Sequence, residues 1–484
     1  MKLKELLTDV EAVEINADTE TEIADISYDS RKTRKNDFFV AIRGFESDGH
    51  KYIGAAVNAG AAVVLCEEKP EEDIPYVLVR NSREALALVS RNYFGNPASE
   101  MTLVGVTGTN GKTTTTMLIK HVLEDCTGEK AGLIGTNQNM IGERVLPTER
   151  TTPESYELQK LFREMADEGC KYAVMEVSSH SLVLDRVSGL RFEVAVFTNL
   201  TQDHLDFHKS MEEYAAAKAL LFERCNKAAI NIDDEWGGYM REHAKCPVFT
   251  YSETKLEADL IAKDIRLSST NVKFCALAMN SLERVSLEIP GKFSVYNAMS
   301  VIAAALLLNV PLNRICESLK SAKGVKGRVE VVPTPEDYTI LIDYAHTPDA
   351  LENVIKSMKE VAPGRVVVLF GCGGDRDKTK RPIMGEIAAA LADFVIITSD
   401  NPRTEVPGDI IADILAGVKA PKSRYKIIED RSEAIAYAID NHMEGDVIIL
   451  AGKGHETYQI IGKTKQHMDE REIVAEHIKS KIKA

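Results

Sequence analysis

The sequence lacks the features that mark membrane-spanning, repetitive and zinc- or disulfide-stapled proteins. Its longest apolar stretch, residues 301–308, is far shorter than the roughly 18 residues that a membrane-spanning helix needs. No repeat of fixed period and no low-complexity segment is present, which excludes solenoids and flexible arrays. The eight cysteines all lie more than 20 positions apart, so the chain has no Cys-x-x-Cys pair for zinc or redox chemistry. We therefore expect no membrane partner, and thiols that are buried and reduced.

The sequence also has fewer basic than acidic residues. Lys and Arg total 59 against 74 Asp and Glu, which gives a net charge of −15. Because binding to a nucleic-acid backbone depends on Lys and Arg neutralising phosphates, we expect no nucleic-acid partner. A composition that is 44% hydrophobic and 27% charged is typical of soluble globular proteins. The first residues lack the long apolar run of a secretory signal, so we expect a cytoplasmic protein, and one that works as a monomer.

The length of 484 residues corresponds to about three domains at ~150 residues each. Residues 1–99 mix short strand-like runs, such as 38–42 and 61–65, with alanine-rich helical segments. In residues 100–330, short buried apolar runs alternate with helical patterns, as a parallel, doubly wound sheet requires. Residues 331–484 show the same alternation, with near-continuous apolar runs at 340–342, 365–370, 394–398 and 447–451. The sequence thus predicts an α/β fold in three domains, with a doubly wound parallel sheet in the central one and a Rossmann-like C-terminal one.

The strongest local signal is Gly105-Val-Thr-Gly-Thr-Asn-Gly-Lys-Thr-Thr-Thr115, between a predicted strand and a helix predicted over 113–124. Glycines let backbone N–H groups curl around phosphate oxygens, and the helix N-terminus adds partial positive charge. Lys112 can reach the terminal phosphates of ATP, and the Thr113 hydroxyl can bind Mg²⁺. The common Gly-x-x-x-x-Gly-Lys-Thr spacing needs glycine at position 106, where the chain has valine. The segment therefore predicts a variant ATP phosphate cradle.

Carboxylate and imidazole groups follow two further predicted strands. Glu176 could hold a metal and Ser178 a substrate oxygen, because ligands in such sheets bind at the carboxyl ends of strands. Residues 199–208 bring Asp and His to the next strand end. A histidine alone is more typical of a polar core or surface position, but the two strand ends together favour Mg²⁺, which prefers few carboxylates plus phosphate oxygens. Lys218, taken by itself, predicts a helix-surface lysine with its stem on apolar neighbours.

Charged groups of both signs follow the predicted strands of the third domain. They are Arg376, Asp400, Asn401, Arg403 and Glu456. Arginine matches a carboxylate with paired hydrogen bonds and acids match an ammonium, so the mixture suits a zwitterionic amino acid. A surface salt-bridge network is the alternative.

Two further positions in this domain leave alternatives open. Asp343, at a strand end, either accepts a hydrogen bond from a ribose hydroxyl or ring nitrogen of a nucleotide, or only caps a helix. Cys372 lies in the glycine-rich turn 371–376 and is a buried thiol by default, with a catalytic thiol as the alternative. Arg376 stands where a dinucleotide fingerprint needs glycine, which disfavours a dehydrogenase.

The motifs stand in a fixed order: Gly-Thr-Asn-Gly-Lys-Thr-Thr, Glu-Val-Ser-Ser-His, Asn-Leu-Thr-x-Asp-His-Leu-Asp-x-His, Asp-Tyr-Ala-His-Thr-Pro and Asp-Asn-Pro-Arg. In this set the chain resembles the Mur ligase family over essentially its full length. The resemblance implies a UDP-substrate-binding domain at 1–99, an ATP-binding ligase domain at 100–330 and an amino-acid-binding domain at 331–484. It implies an ADP-forming ligase that adds meso-2,6-diaminopimelate to UDP-N-acetylmuramoyl-L-alanyl-D-glutamate through an acyl phosphate, in peptidoglycan precursor synthesis.

The resemblance also implies roles for individual residues. Those that contact ATP would be Gly108, Thr109, Asn110, Gly111, Lys112, Thr113, Thr114, Asn297, Arg328, Asp343 and His346. Mg²⁺ would be held by Thr113, Glu176 and a carbamylated Lys218, and catalysis would depend on Lys112, His204 and Lys218. The UDP-linked dipeptide would contact Ser30, Thr151, Thr152, Ser178 and Arg186. Diaminopimelate would contact Arg376, Asp400, Asn401, Pro402, Arg403, Gly452 and Glu456.

Arg403 bears on the choice of amino acid. Lysine-adding relatives typically lack this arginine, and a guanidinium is what the second carboxylate of diaminopimelate requires, so diaminopimelate is favoured over lysine. Two other functions stay open. A folate polyglutamylating ligase has a similar phosphate loop, and an ATP-driven switch that ligates nothing would use residues 105–115 but would leave the charged groups of the third domain without a role.

Overall fold

The structure is a computed structural model that describes residues 1–44, 47–203, 207–334, 337–419 and 421–483. The chain divides into two compact units, one formed by residues 1–260 with 300–311 and the other by residues 261–299 with 312–484. Both contain parallel sheets with helices between the strands, which confirms the predicted α/β class. None of the helices in the described ranges has the length and apolar character that crossing a bilayer would take.

The first unit opens with a small sheet. Its strands are β1 (Ala12–Asn16), β2 (Ile26–Ser27), β3 (Phe38–Val40), β4 (Val63–Cys66) and β5 (Tyr76–Val79), and its helices are α1 (Leu3–Leu6), α2 (Ile53–Asn58) and α3 (Ser82–Tyr93). The order is β1-β5-β4-β3-β2, parallel except for the β1–β5 pair. The strands predicted at 38–42 and 61–65 correspond to β3 and β4. Their buried side chains form a core with the apolar face of α3, which begins where the Asn81 side chain accepts from two backbone N–H groups.

A larger sheet follows in the same unit. Its strands are β6 (Thr102–Thr107), β7 (Ala131–Ile134), β8 (Asn139–Ile141), β9 (Arg144–Leu146), β10 (Tyr172–Glu176), β11 (Phe192–Phe197), β12 (Cys225–Asn231) and β13 (Val248–Ser252). The helices are α4 (Lys112–Thr127), α5 (Ser155–Asp167), α6 (Ser179–Val183), α7 (Met211–Glu223) and α8 (Gly237–His243). The order is β13-β12-β11-β6-β10-β7-β8-β9, parallel up to β7 and antiparallel beyond it. The strands β6, β10 and β11 are therefore neighbours, and their carboxyl ends share one edge.

The helix after the phosphate loop shows how local residues set an element's ends. Helix α4 begins one residue before the predicted start, after Gly111 at a φ of 84°. It stops at Gly128, whose φ of 74° lies in the left-handed region that glycine enters without steric cost. The helix N-terminus thus directly follows β6, as an anion-binding turn requires.

The second unit contains a meander and a second parallel sheet. The strands are β14 (Leu260–Leu267), which starts at the division between the units, β15 (Val272–Ala278), β16 (Ser281–Leu287), β17 (Glu330–Val332), β18 (Thr339–Asp343), β19 (Val366–Phe370), β20 (Phe394–Ile397), β21 (Tyr425–Ile427), β22 (Val447–Ala451), β23 (Tyr458–Ile461) and β24 (Thr464–His467). The helices are α9 (Lys292–Leu307), which also crosses the division, α10 (Leu312–Ser321), α11 (Pro348–Lys359), α12 (Lys380–Leu391), α13 (Pro407–Leu415), α14 (Arg431–Asp440) and α15 (Glu470–Lys483).

The parallel sheet of this unit has the order β17-β18-β22-β19-β20-β21, with only the β17–β18 pair antiparallel. The apolar runs predicted at 340–342, 365–370, 394–398 and 447–451 correspond to β18, β19, β20 and β22. All residues of β19 and β22 are buried, because helices cover both faces of the sheet. The loops after these four strands therefore lie along one edge, and β23 and β24 form a separate antiparallel hairpin.

An ion pair inside the second unit connects its last two helices to this edge. Arg431, at the start of α14, and Glu470, at the start of α15, are almost completely buried and lie 2.8 Å apart, from Nη2 to Oε1. Arg431 Nη2 also donates to the carbonyl of Ala451, at the end of β22, over 2.8 Å. The pair therefore joins both helices to the carboxyl edge of the sheet.

Replacing Arg431 by methionine should lower the free energy of unfolding by about 3–5 kcal/mol, because it leaves a buried carboxylate without its counter-charge. Urea unfolding followed by circular dichroism measures the loss. Lys356→Met is the matched control, since it breaks the exposed Lys356–Glu352 pair and should cost less than about 1 kcal/mol. Equal losses in the two variants would contradict the role given to the buried pair.

Candidate active site

The phosphate loop has the shape of an anion cradle. Gly108 has a φ of 149°, and a Cβ at this position would lie 1.9 Å from Thr198 Oγ1, so only glycine fits. The Lys112 ammonium folds back over the loop and donates to the carbonyls of Gly108 and Thr109, each over 2.9 Å. Thr113 and Thr114, in the first turn of α4, are buried. The loop thus presents the N-terminus of α4 and an ammonium group together.

The segment after β11 holds this loop in place. Asn199 accepts from the backbone N–H of Asn110 through Oδ1 at 2.9 Å, and the Thr198 hydroxyl donates to the carbonyl of Asn110 at 2.7 Å. The Thr109 hydroxyl donates to the carbonyl of Thr201 at 3.2 Å. The Asn-Leu-Thr motif therefore supports the loop, a role that the sequence did not indicate. His204, predicted to serve catalysis, lies outside the described residues.

Lys218 lies in the core and not on the helix surface, so the interpretation of its local pattern as an exposed lysine was wrong. The side chain is 1% exposed, and Nζ donates to the carbonyl of Gly108 over 2.8 Å. Nζ also lies 4.6 Å from the centre of the Tyr214 ring. Burial, and then the nearby Lys112 ammonium, hold the pKa of Lys218 well below its usual value. A neutral amine is thereby favoured directly beneath the phosphate loop.

Glu176 occupies the strand end next to the loop, since β10 pairs with β6 and residue 176 lies opposite Val106. Its carboxylate is buried and accepts from Thr136, through the backbone N–H at 2.8 Å and the hydroxyl at 2.9 Å. Within the described residues, no group of three or more His, Cys, Asp and Glu side chains is arranged to hold a metal. Mg²⁺ sites commonly use few protein carboxylates, with phosphate oxygens and water completing the shell.

Three of the five residues predicted for the UDP-linked dipeptide, Thr152, Ser178 and Arg186, form one hydrogen-bonded group, and a fourth, Thr151, is connected to it through Thr136 and Glu176. The Thr152 hydroxyl donates to the carbonyl of Glu176 at 2.8 Å and accepts from the backbone N–H of Ser178 at 3.2 Å. Arg186 donates to the carbonyl of Thr152 at 3.1 Å. The Thr151 and Thr136 hydroxyls are 3.0 Å apart, which links this group to the Glu176 site.

The fifth residue of this set, Ser30, lies in the turn after β2. Two residues earlier, the Tyr28 hydroxyl donates to Glu157 of α5 over 2.7 Å. Helix α5 starts at Ser155, three residues after Thr152. The small sheet and the larger sheet of the first unit are thus joined close to the predicted dipeptide site.

Four residues outside the phosphate loop were predicted to contact ATP. Three of them, Arg328, Asp343 and His346, lie close together in the second unit. The Arg328 guanidinium lies 5.1 Å from the centre of the Tyr344 ring, and His346 Nδ1 lies 2.8 Å from the carbonyl oxygen of Tyr344. Asp343 accepts from the backbone N–H groups of Val329 and Ala345, and its burial raises its pKa. Asp343 therefore shapes its own loop. The fourth residue, Asn297, is buried in α9.

A cavity of about 320 Å³ opens at the carboxyl edge of the sheet in the second unit. It is lined by Tyr344, His346, Gly371, Cys372, Gly373, Arg376, Asp377, Lys380, Asp400, Asn401, Arg403, Gly452 and Glu456. All the residues predicted to contact diaminopimelate except Pro402 are among them. The lining combines guanidinium groups with carboxylates, so it can pair with both the carboxylate and the ammonium groups of an amino acid. The structure thus brings these predicted residues together around one cavity. His346 lines the same cavity, although the resemblance assigns it to ATP.

Arg403 is held in an unusual backbone conformation. Its φ of 50° lies in the left-handed region, which costs a non-glycine residue energy. Its backbone N–H donates to the carbonyl of Ile460 at 3.0 Å, and its carbonyl accepts from Gly462 at 2.7 Å, so the β23–β24 hairpin fixes this conformation. The guanidinium donates to the carbonyl of Gly374 over 2.6 Å. The side chain is thereby anchored at the cavity wall.

Two residues of the site were missed by sequence reasoning. Thr136 holds Glu176 with two hydrogen bonds, and its only sequence signal is a hydroxyl next to Gly135 just after β7. Lys453 is completely buried and contacts Asn401 and Glu456. The signal for Lys453 was its position between Gly452 and Glu456.

Cys372 lines the cavity, but burial raises its thiol pKa to about 12, so the default interpretation of a buried thiol fits better than a catalytic one.

Comparison with protein families gives three matches in chain order. The Mur ligase family catalytic domain matches residues 22–94, the Mur ligase middle domain matches residues 106–305, and the Mur ligase glutamate ligase domain matches residues 327–454.

Curated relatives and solved structures are similar over almost the full chain. The UDP-N-acetylmuramoyl-L-alanyl-D-glutamate--2,6-diaminopimelate ligase of Caldanaerobacter subterraneus subsp. tengcongensis is 51% identical over 98% of this chain and 98% of its own. The enzyme of the same name from Clostridium botulinum is 48% identical over 95% of each chain. A solved structure of a ligase with this name, 31% identical, covers 100% of this chain and 99% of its own with a TM-score of 0.75.

Proposed function

The chain belongs to the Mur ligase family, and we propose that it joins meso-2,6-diaminopimelate to UDP-N-acetylmuramoyl-L-alanyl-D-glutamate while ATP is converted to ADP and phosphate. The observation that supports diaminopimelate as the amino acid is the lining of the cavity in the second unit. Its wall holds the guanidiniums of Arg376 and Arg403 as well as the carboxylates of Asp400 and Glu456. A substrate with two carboxylates and two ammonium groups can use both pairs.

The phosphate loop supplies the groups that we assign to ATP. The backbone N–H groups of residues 108–114 and the N-terminus of α4 attract phosphate oxygens, and Lys112 adds a full positive charge. Asn297, Arg328, Asp343 and His346 of the second unit are assigned to the rest of the nucleotide by resemblance to the family.

The residues at the loop suit Mg²⁺, which binds hard oxygen ligands and keeps phosphate oxygens and water in its shell. Thr113 offers a hydroxyl and Glu176 a buried carboxylate with acceptor capacity beyond the two bonds from Thr136. Lys218 would contribute only after carbamylation, which replaces an ammonium by a carboxylate-like group. When bound, Mg²⁺ would neutralise charge on the phosphates of ATP.

The proposed reaction has two steps. The D-glutamyl carboxylate of the UDP-linked substrate, placed by Ser30, Thr151, Thr152, Ser178 and Arg186, attacks the γ-phosphorus of ATP and releases ADP. The O–P bond that forms gives an acyl phosphate, and Lys112 stabilises the charge on the transferring group. An amine of diaminopimelate then attacks the acyl carbon, loses a proton and expels phosphate. We assign His204 to the same site by resemblance.

The remaining assignments follow from the family and the composition. We propose domains at 1–99, 100–330 and 331–484 for the UDP-linked substrate, ATP and the amino acid. We also propose that the protein is a cytoplasmic monomer without a membrane partner. We propose no nucleic-acid partner, because the net charge of −15 opposes binding to a polyphosphate backbone.

Purified protein should release phosphate from ATP only when UDP-N-acetylmuramoyl-L-alanyl-D-glutamate and meso-diaminopimelate are both present. Mass spectrometry of the product should show one added diaminopimelate, because the acyl phosphate is consumed by the amine. Replacing diaminopimelate with lysine, or the UDP-linked substrate with a folate, is the control for the two neighbouring activities. Comparable turnover with lysine, or phosphate release without either substrate, would overturn the proposal.

Replacing Arg403 by alanine should raise the KM for diaminopimelate by about 30-fold or more, because losing one partner of a buried charge pair costs at least ~2 kcal/mol. The KM values for ATP and the UDP-linked substrate should change little. The preference for diaminopimelate over lysine should narrow, since lysine has no second carboxylate to lose contact with. Arg144→Ala, which removes a partly exposed arginine of β9, is the control. An equal rise in all three KM values would count against this role of Arg403.

Lys218 should carry a carbamate, because its lowered pKa favours the neutral amine that CO₂ needs for addition with loss of a proton. In protein equilibrated with ¹³C-bicarbonate, carbon NMR should show a carbamate resonance. The resonance should be lost in Lys218→Met, together with most of the ligase activity, and retained in Lys160→Met, which alters an exposed lysine of α5. A resonance that survives in Lys218→Met would assign the carbamate to another residue.

A further inference from the structure

Lys453 is a buried cation beside the cavity of the second unit. The residue has no solvent exposure, although an unpaired ammonium group is very costly to remove from water. Its Nζ donates to Glu456 Oε2 at 3.0 Å and to Asn401 Oδ1 at 3.2 Å, and it lies 5.6 Å from the centre of the Tyr458 ring. Glu456 and Asn401 line the cavity, whereas Lys453 is not among the lining residues.

The contacts of Lys453 determine which way the Asn401 amide faces. Asn401 Oδ1 accepts from Lys453 and from the backbone N–H of Ile460, at 2.9 Å, and both of these groups can only donate. The NH₂ group must therefore be at Nδ2, from which it donates to Glu456 Oε2 over 2.9 Å. Three side chains thus form a closed triangle of hydrogen bonds.

The triangle also fixes the Glu456 carboxylate. Oε2 accepts from both Lys453 and Asn401, so the rotation of the carboxylate about its last bond is restrained. A carboxylate has about four acceptor positions, so the group keeps capacity for an ammonium group in the cavity. Lys453 also offsets the negative charge of Glu456, which lines the cavity together with Asp400.

We propose that Lys453 is a positioning residue for the amino-acid substrate: it stays outside the cavity and holds Glu456 and Asn401 in the orientation that receives a substrate ammonium group. The inference rests on the proposed function, because it takes the cavity to be the site of the amino acid. It adds a residue that acts through Glu456 and Asn401 rather than by contact with the substrate.

Lys453→Met keeps an unbranched side chain that is one heavy atom shorter, and it removes the charge and the donors. The KM for diaminopimelate should rise about 10- to 100-fold, the range expected for losing hydrogen bonds to a charged group. The KM values for ATP and the UDP-linked substrate, and kcat at saturating amino acid, should stay within about twofold. Lys453→Arg should recover part of the affinity, since it restores a cation with several donors. Lys419→Met, which removes an exposed lysine paired with Glu386, is the control and should match the wild type.

A double-mutant cycle tests whether Lys453 acts through Glu456. In a Glu456→Gln background, adding Lys453→Met should raise the KM for diaminopimelate much less than it does in the wild type, because the carboxylate that Lys453 holds is already gone. An equal, independent rise in both backgrounds would overturn the proposal. An unchanged KM for diaminopimelate in Lys453→Met would also overturn the proposal. The same holds if Lys453→Met lowers kcat and raises the KM values for diaminopimelate, ATP and the UDP-linked substrate together, and Lys453→Arg does not restore them.

Failure of the proposed function is recognised separately, in the wild type. Wild-type protein that ligates no amino acid would remove the basis of the inference, whereas a wild type that ligates diaminopimelate and a Lys453→Met variant with unchanged KM would overturn only the role of Lys453. Should the methionine variant not fold, as judged by its thermal transition, Lys453→Gln takes its place, because it keeps a neutral donor. It should give a KM between those of Lys453→Met and the wild type.

Discussion

Backbone carbonyls at the ends of the strands need hydrogen-bond donors, and the protein supplies them with the nitrogen atoms of buried lysine and arginine side chains. Lys218 donates to Gly108, Arg381 to Gly373, and Arg431 to Ala451, although each of these side chains is at most 1% exposed. A loop that ends a parallel strand cannot satisfy its carbonyls within the sheet, and leaving them unpaired in the interior would be costly. The loops at these strand ends therefore depend on buried amine and guanidinium donors.

The loops at the strand ends are held by different contacts in the two units. In the first unit, the loop around Gly108 is held from below by Lys218 and from the side by Thr198, and glycine is required because no Cβ fits. In the second unit, Arg403 adopts a left-handed backbone because the β23–β24 hairpin binds it on both sides. Preorganised donors of this kind favour the charge that develops in phosphoryl and acyl transfer, since little has to move when the reaction occurs.

Much of the fold and of the site composition could be predicted from the sequence. The apolar runs gave β18, β19, β20 and β22, because strands buried on both faces leave a near-continuous hydrophobic pattern. The motif residues around Lys112, Glu176 and Arg403 stood out because glycine turns, carboxylates and guanidiniums follow the predicted strands, and the resemblance to the Mur ligases implied their roles. The burial of Lys218 and Lys453 could not be predicted from local pattern. A lysine between alanines or between glycines has the same sequence neighbours whether its side chain faces water or the core.

The sequence by itself determined the α/β class, the position of the phosphate loop and the types of charged group that follow the strands, because these depend on residue identity and spacing along the chain. Only the tertiary structure decided which lysines and arginines are buried, which way the Asn401 amide faces and that Thr136 donates to Glu176. The physical reason is that burial and hydrogen-bond partnership join residues far apart in the chain, such as Lys218 and Gly108 or Asn401 and Glu456. The residues next to a side chain in the sequence do not determine which distant group that side chain contacts.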